Sequence, residues 1–582
     1  MLSTWDLHLH HPLWSLADLD LHFSELMDEI ERAAKLKHAK PQLHVYPELT
    51  LGGYPLKDFL LNQDFRSSYE KKMQSFATQL KQLPQNEMCK FLVGGLQYQV
   101  DQLYPYNVAY LIEPGVGIEC VHQKILLPNN DIFDEKKYFA AGQTTKSFEL
   151  WGEPVGVVIC EDIWATKYTT QNPIEELIQL ARPIKLLISL SASPFDIYKM
   201  SERKKRAKSI VGLLGCPFVY SNRLSADDEL IFEGGSFCLQ SDAQTFHDCT
   251  PFKNETKVVP LNIAFNRSEN KNSNELRYTT VPNVYHPKLN DAQLHEITQA
   301  IILGLQEYAK RARLRHWLVA LSGGMDSALV LTLAKMAAQT MPGGAEVKAI
   351  YMPGFFSQEL SYQLSQQLCQ KLNIGLQFLP IKFLHSTCKN TLRDHLKIDL
   401  QGLADENIQS RLRGLMLFAV ANAQNAMVLN TSNKSELAVG YSTLYGDSVG
   451  AISLIGDLYK TYVYQLADFI NRTAPYGYSI PEGIISRAPS AELRDQQKDS
   501  DSLPEYDELD ALLSALIDEE MERSAILKKY PQTKPETLQK VYQLYFQSEF
   551  KRQQFPPIIK LFPKSFGFGH RLPIGKGHYT KA

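Results

Sequence analysis

Ser322-Gly-Gly-Met-Asp-Ser327 stands directly after the apolar run 317–321 and opens a stretch of helical periodicity. A strand that ends in glycines brings bare backbone N–H groups, hydroxyls and a helix N-terminus against a pyrophosphate with no side chain in the way. The stretch therefore describes an anion cradle at the carboxyl end of a buried strand. It is not a Walker A loop, which needs a lysine after its last glycine. Glycine-rich turns also occur with no ligand; the aspartate and the flanking serines, set between strand and helix, favour the phosphate reading.

Outward from this loop, strand-like runs at 317–321, 347–352, 376–381 and 427–430 alternate with helical stretches at 328–339, 359–372 and 407–424, preceded by helical spacing over 293–313. That order implies an α/β domain with a doubly wound parallel sheet and ligands at the carboxyl ends of its strands. Residues 431–436 fall at a second such end, so two distant segments converge on one crevice. The acidic, serine-rich stretch 495–510 reads as a mobile surface loop.

A chain of 582 residues exceeds what one core supports, and the polar, aperiodic stretch 266–291 reads as a linker between domains at 1–265 and 292–582. With 44% hydrophobic and 21% charged residues and a net charge of −3, the composition is that of a soluble globular protein without an electrostatic footprint for nucleic acid. Its partners are expected to be small molecules. No apolar run approaches the about 18 residues of a membrane helix, and residues 1–13 lack a basic region followed by an apolar core. No membrane partner, a cytoplasmic location and a homo-oligomer are expected. The eight cysteines form no CxxC pair, which argues against a zinc ribbon or a disulfide framework.

In the first half, strand candidates lie at 43–46, 91–97, 108–112, 155–160, 186–189 and 218–221, with a hairpin turn at Pro114-Gly115. Three reactive groups fall at strand ends: Glu48, Lys124 and Cys160. Attack on a carboxamide needs a thiolate, a base to generate it and a cation or N–H donors for the oxyanion, and these three side chains supply those roles. Taken singly, a cysteine there is ordinarily core and the charges ordinarily surface. His8, His10 and His11 alternate along a possible strand, but no acidic or cysteine partner lies nearby in sequence, which argues against a metal there.

The local contexts resemble a known superfamily. Tyr46-Pro-Glu-Leu49 with Gly53-Tyr54-Pro55, Lys124 ahead of Leu127-Pro128, Phe133-Asp-Glu-Lys136 and Ile159-Cys-Glu-Asp-Ile-Trp164 are similar, in order, to the motifs of the nitrilase (carbon-nitrogen hydrolase) superfamily. The resemblance implies a four-layered αββα sandwich, with Glu48 as proton acceptor, Lys124 stabilising the oxyanion, Cys160 forming a thioester and Glu135 as a second carboxylate. Ser191-Ala-Ser-Pro-Phe195 with Lys199 resembles the glutamine-contacting loop, so Ser193, Lys199 and Asn130 are candidates for the amino-acid end. Departures cluster here. Asn130 stands where relatives usually have tyrosine, Ser191 where they often have asparagine, and 221–230 departs from the usual Gly-Gly-Gln-Asp run.

The second half resembles the ATP-pyrophosphatase enzymes through its SGGxDS loop, and the NAD synthetases among them through further motifs. These are Glu406-Asn-Ile-Gln-Ser-Arg411, Thr431-Ser-Asn-Lys-Ser-Glu436, Gly440-Tyr441, Tyr445-Gly-Asp447, Asp457-Leu-Tyr-Lys460 and Pro489-Ser-Ala-Glu-Leu493. Lys551-Arg-Gln-Gln554, Phe566-Gly567 and Arg571-Leu-Pro-Ile574 are similar to the tail of the glutamine-dependent members. The reaction implied joins deamido-NAD and ammonia from glutamine at the expense of ATP, giving NAD, AMP, pyrophosphate and glutamate. Ser322, Gly323, Gly324, Asp326, Ser327 and Thr431 would contact ATP, with Lys460 on the leaving phosphate. Asp326 and Glu436 would hold Mg²⁺, and Asn407, Glu436 and Lys551 would contact deamido-NAD. Other adenylating amidotransferases, such as GMP or asparagine synthetase, share the loop but carry a different glutaminase. A degenerate nitrilase fold kept as a binding scaffold is a further alternative, against which the intact Glu48, Lys124 and Cys160 speak.

Overall fold

The structure, a computed structural model, describes residues 4–100, 102–166, 169–263 and 287–575. These fall into two compact units, one built from residues 4–227 and 231–263, the other from 228–230 and 287–575. The expected linker at 266–291 lies outside the described residues as far as 286. Among the described residues no helix is long and apolar enough to cross a membrane, and all eight cysteines are free.

The first unit is an αββα sandwich. One six-stranded sheet runs, in spatial order, Thr256–Asn262, Thr4–His10, Gln42–Val45, Cys89–Gln97, Tyr106–Glu113 and Gly117–Gln123. The other runs Phe246–Asp248, Phe237–Leu239, Phe218–Asn222, Leu186–Ser191, Glu153–Ile159 and Ser147–Leu150. Each has parallel strands at its centre and antiparallel strands at its edges. Strand alternation explains the layering: Trp5, Leu7 and Leu9 join Leu43, Val45, Val157, Ile159, Ile188 and Leu190 in the core between the sheets. Neighbouring Asp6, His8 and His10 point to the opposite face. Helix Lys199–Leu214 covers the outside of the second sheet through Ala207, Ile210 and Val211. Helices Leu19–Ala34 and Gln63–Leu80 belong to the first sheet's side, each started by an Asx cap, Asp18 and Asn62. The Pro114-Gly115 turn joins Tyr106–Glu113 to Gly117–Gln123 as an antiparallel hairpin.

The second unit holds a five-stranded parallel sheet in the order Leu376–Phe378, Glu346–Tyr351, His316–Ala320, Ala426–Asn430, Ile452–Ser453. The order reverses between the first strand in sequence, His316–Ala320, and Ala426–Asn430, which opens the crevice expected of a doubly wound sheet. Two expectations change. The strand at 376–381 shortens to Leu376–Phe378, because the chain turns into helix Lys382–Leu396. The stretch 495–510 is not a plain surface loop: it contains a short 3₁₀ turn, Asp499–Asp501, and the start of helix Tyr506–Ile517. Asp499 is buried there and accepts from the hydroxyls of Tyr441 and Tyr506 at 3.3 and 2.9 Å. Acidity signalled solvent in the sequence; tyrosine donors bring it inside.

Candidate active sites

In the first unit the strand ends at Gln42–Val45, Gly117–Gln123 and Glu153–Ile159 deliver Glu48, Lys124 and Cys160 to one buried place, joined by Glu135 from a single 3₁₀ turn. Lys124 Nζ donates to Glu48 Oε1 and to Glu135 Oε1, each at 2.8 Å. Burial alone would lower the lysine's pKa, but Glu135 and Glu48 hold it well above its ordinary value, so the ammonium stays charged. Burial pushes Glu135 up to about 7 against the pull of Lys124. Burial, then the charge of Glu48, pushes the Cys160 thiol well up.

Backbone geometry aims these groups. Cys160 opens a 3₁₀ turn at φ +44°, a left-handed conformation that costs a non-glycine residue energy and is found at sites where the surrounding fold enforces it. Glu48 is pinned by Asn107 Nδ2, donating to Oε1 at 2.7 Å, and by the Ala192 N–H, donating to Oε2 at 2.7 Å. Gly94 lies under that segment: a Cβ there would stand 2.4 Å from Leu49 N and 2.5 Å from Pro47 O. Tyr54 donates to Glu135 Oε1 at 2.9 Å, while the buried Glu135 Oε2 has no hydrogen-bond partner among the described residues. Asp162, fully buried, accepts from Ile125 N (3.0 Å), Leu126 N (2.8 Å) and Ile159 N (2.9 Å), and pairs with His122 at 2.9 Å.

The three candidates for an amino-acid end fare differently. Ser193 is buried and its Oγ accepts from Arg203 at 3.0 Å; Arg203 is itself wholly buried and ion-paired with Glu233. Asn222 Oδ1 accepts the Ser193 N–H at 2.9 Å. Lys199, at the start of its helix, lies over the Trp164 ring at 4.9 Å and pairs with Glu202 at 3.3 Å. Asn130 is exposed on the loop leading to Glu135. Arg203, Glu233, Asn222, Asn107, Tyr54 and Asp162 were missed as site residues. Arg203 stands in Lys199-Met-Ser-Glu-Arg-Lys-Lys-Arg206, which has the composition of a solvated helix face, and only the packed sheet reveals otherwise.

In the second unit the loop closes on itself. Ser327 Oγ meets Ser322 Oγ at 3.0 Å, and the Gly324 N–H donates to Ser322 Oγ at 3.2 Å. Gly323, at φ +82°, has the Ser361 carbonyl where a Cβ would go, 2.6 Å away. Helix Met325–Thr340 starts at once, its N-terminus facing a cavity of about 270 Å³ lined by Ser322, Gly324, Asp326, Ser327, Thr431, Glu436 and Lys460. The Lys460 ammonium pairs with Asp326 Oδ2 and lies 3.6 Å from Glu436 Oε1. Burial, then Asp326, raises Glu436 to about 8; Asp326 and Glu436 together keep Lys460 raised despite its burial. Asn433 caps helix Lys434–Val439 and reaches Asp326 Oδ1 with its amide at 3.0 Å, tying the two segments together.

Asn407 and Lys551 meet elsewhere, along one loop. Thr443 Oγ1 donates to Asn407 Oδ1 at 2.8 Å, and Lys551 Nζ donates to the Gly440 and Ser442 carbonyls, each at 2.7 Å. Burial lowers the Lys551 pKa. Tyr441, between those carbonyls, lines the cavity. Arg413, Arg487 and Glu492 also line it; Glu492 stands in the Pro489–Leu493 motif without an assigned role, and the two arginines carried no recognisable sequence signal.

Comparisons with known proteins match both segments of the chain. The family model for NAD synthase matches residues 297–555, and that for carbon-nitrogen hydrolase residues 14–264. A glutamine-dependent NAD(+) synthetase from Acinetobacter baylyi is 34% identical over 548 residues, 94% of this chain and 94% of that one. One from Synechocystis sp. is 34% identical over 573 residues, 96% of this chain and 97% of that one. Among solved structures, glutamine-dependent NAD+ synthetase from Acinetobacter baumannii in complex with adenosine diphosphate has a TM-score of 0.69 at 28% identity, covering 98% of both chains. This chain therefore belongs to the family of glutamine-dependent NAD(+) synthetases, in which a carbon-nitrogen hydrolase segment precedes an NAD synthase segment.

Proposed function

We propose that this chain converts deamido-NAD, ATP, glutamine and water into NAD, AMP, pyrophosphate and glutamate, with the chemistry divided between the two sites. The observation that carries the nitrogen-releasing half is the Lys124 ammonium, shared at 2.8 Å by Glu48 and Glu135 beside Cys160.

Glu48 takes the Cys160 proton as sulfur attacks the carboxamide carbon. The oxygen that gains charge is met by Lys124 Nζ, a cation already dehydrated and oriented, which is where such stabilisation is strongest. The proton passes to the amide nitrogen, ammonia leaves, and a thioester remains; Glu48 then deprotonates the water that releases glutamate. Glu135 Oε2, unpartnered and buried, is placed to accept from the substrate amide. Ser193, held by Arg203, and Lys199 are the proposed contacts of the amino-acid end; exposed Asn130 is the weakest of the three.

In the second unit the loop N–H groups and the helix N-terminus hold the triphosphate while a carboxylate oxygen of deamido-NAD attacks the α-phosphorus. Pyrophosphate leaves with its bridging oxygen, Lys460 offsets the charge it gathers, and ammonia then displaces AMP from the acyl-adenylate. Thr431 contacts the nucleotide, and Asn407 and Lys551 support the loop 440–443 against deamido-NAD. Asp326 and Glu436 present carboxylate oxygens to the cavity, the donors a hard divalent cation takes, so the residues fit Mg²⁺, which when bound neutralises phosphate charge.

Cys160→Ala separates the halves. It is expected to make no NAD from glutamine and to make it at near wild-type rate from saturating ammonium, in a protein that melts normally. NAD formation from glutamine in this variant would place the nucleophile elsewhere.

A further inference from the structure

Outside both sites, on the outer face of the first sheet, three histidines stack along two neighbouring parallel strands. His8 and His44 rings lie 4.1 Å apart at 10°, and the Tyr46 ring covers His10 at 4.2 Å and 6°. His10 Nε2 and His44 Nδ1 are 3.0 Å apart and buried. Asp6, on the same strand face, accepts from Gln42 Nε2 at 2.9 Å; the fold supplies a second carboxylate. Helix Leu19–Ala34 brings the Glu29 carboxylate so close that one ligand atom from each of His10, His44 and Glu29 lies within 4.8 Å of the other two.

Nothing in the proposed chemistry uses this cluster. We propose that His10 Nε2, His44 Nδ1 and a Glu29 carboxylate oxygen bind a borderline divalent ion of the Zn²⁺ class, with water from the adjoining cavity completing the shell.

Three observations support it. Ligands held at about 2.0–2.1 Å in a tetrahedron stand about 3.3 Å apart, close to the nitrogen–nitrogen distance found. His10 Nδ1 meets Thr256 Oγ1 at 3.0 Å, the kind of outer contact that fixes the tautomer of a metal-binding histidine and leaves the other nitrogen for the metal. A cavity of about 350 Å³ adjoins, lined by Glu25, Asp28, Glu29 and Glu255 against one cation, Arg32, besides His10 and His11; Arg32 pairs with Glu29 Oε2 at 2.5 Å, and the four carboxylates outnumber it, which favours a cation. Two imidazoles and one carboxylate suit Zn²⁺ better than Mg²⁺ or Ca²⁺, which take oxygen ligands. Such an ion would tie strands Thr4–His10 and Gln42–Val45 to helix Leu19–Ala34.

The test uses the full chain, stripped with a chelator, dialysed and titrated with ZnCl₂ alone by calorimetry, with bound metal counted by atomic emission. Wild type is expected to take up one Zn²⁺ that Glu29→Gln binds at least about tenfold more weakly and that His44→Gln does not bind, and Zn²⁺ should raise the melting temperature of wild type only. Glu29 lies on a half-exposed helix position, so Glu29→Gln decides the matter even if His44→Gln does not fold. No stoichiometric uptake by wild type, or equal affinity in wild type and Glu29→Gln, overturns the proposal.

Discussion

Asp162 holds Leu126: its Oδ1 accepts the Leu126 N–H at 2.8 Å while Oδ2 accepts the Ile159 N–H at 2.9 Å, so one carboxylate fastens the chain after Lys124 to the chain before Cys160. Asparagine would set an NH₂ donor against backbone N–H donors. Asp162→Asn is expected to lower kcat for glutamine hydrolysis about a hundredfold, through misplacement of the reacting groups, with a smaller change in KM and none in ammonium-supported synthesis. Wild-type hydrolysis in this variant would show that the clamp does not set catalytic geometry.

Gly94→Ala should damage the same reaction from the other side. The added methyl meets backbone at Leu49 N and Pro47 O rather than a movable side chain, so the strand must shift and Glu48 with it. Glutamine hydrolysis is expected to fall at least about tenfold and the melting temperature to drop; an unaltered rate would mean that Glu48 tolerates displacement.

Lys460→Met removes the cation between Asp326 and Glu436. Two partly buried carboxylates then face each other unbalanced, and Glu436, already raised to about 8, should rise further. NAD formation should fall about a hundredfold or more with either nitrogen source, whereas glutamine hydrolysis should persist. Activity with ammonium close to wild type would remove Lys460 from the phosphate-handling role.

Buried neutral histidines set an acid limit on the metal-free first unit. Burial lowers His10 to about 3 and His11 and His22 to about 4, against about 6.5 in the unfolded chain. The unfolded state therefore binds protons that the fold refuses. Their contribution is complete above pH 6.5 and is lost as pH falls towards 4, at about 1.4 kcal/mol per pH unit for each histidine. Hydrogen-exchange protection of strand Thr4–His10 should decline over that window, less steeply in His22→Gln; an unchanged slope in the variant would show that His22 is charged in the fold.

What the sequence disclosed was whatever lies close along the chain. The glycine loop, the strand–helix alternation and the reactive residues at strand ends each occupy a few neighbouring positions, and the motif order carried the family resemblance. Contacts between distant positions left no such trace. Arg203 looks like one more charge on a basic helix until Glu233 from another strand is packed against it. Asp499 looks like loop until two tyrosines meet it. Leu379 and Ile381 extend the apolar run 376–381 past the strand, yet Ile381 is buried at the start of a helix rather than in the sheet.

Cys160 is kept as a thiol, its proton retained by burial and by the negative charge of Glu48. Peroxide and related oxidants attack the thiolate, and exposure sets how readily they reach it. If Cys160 is the nucleophile proposed above, it is thus shielded from sulfenic acid formation while idle, without a disulfide or other reversible cap, because the charge separation that would make it reactive arises only as the carboxamide is attacked.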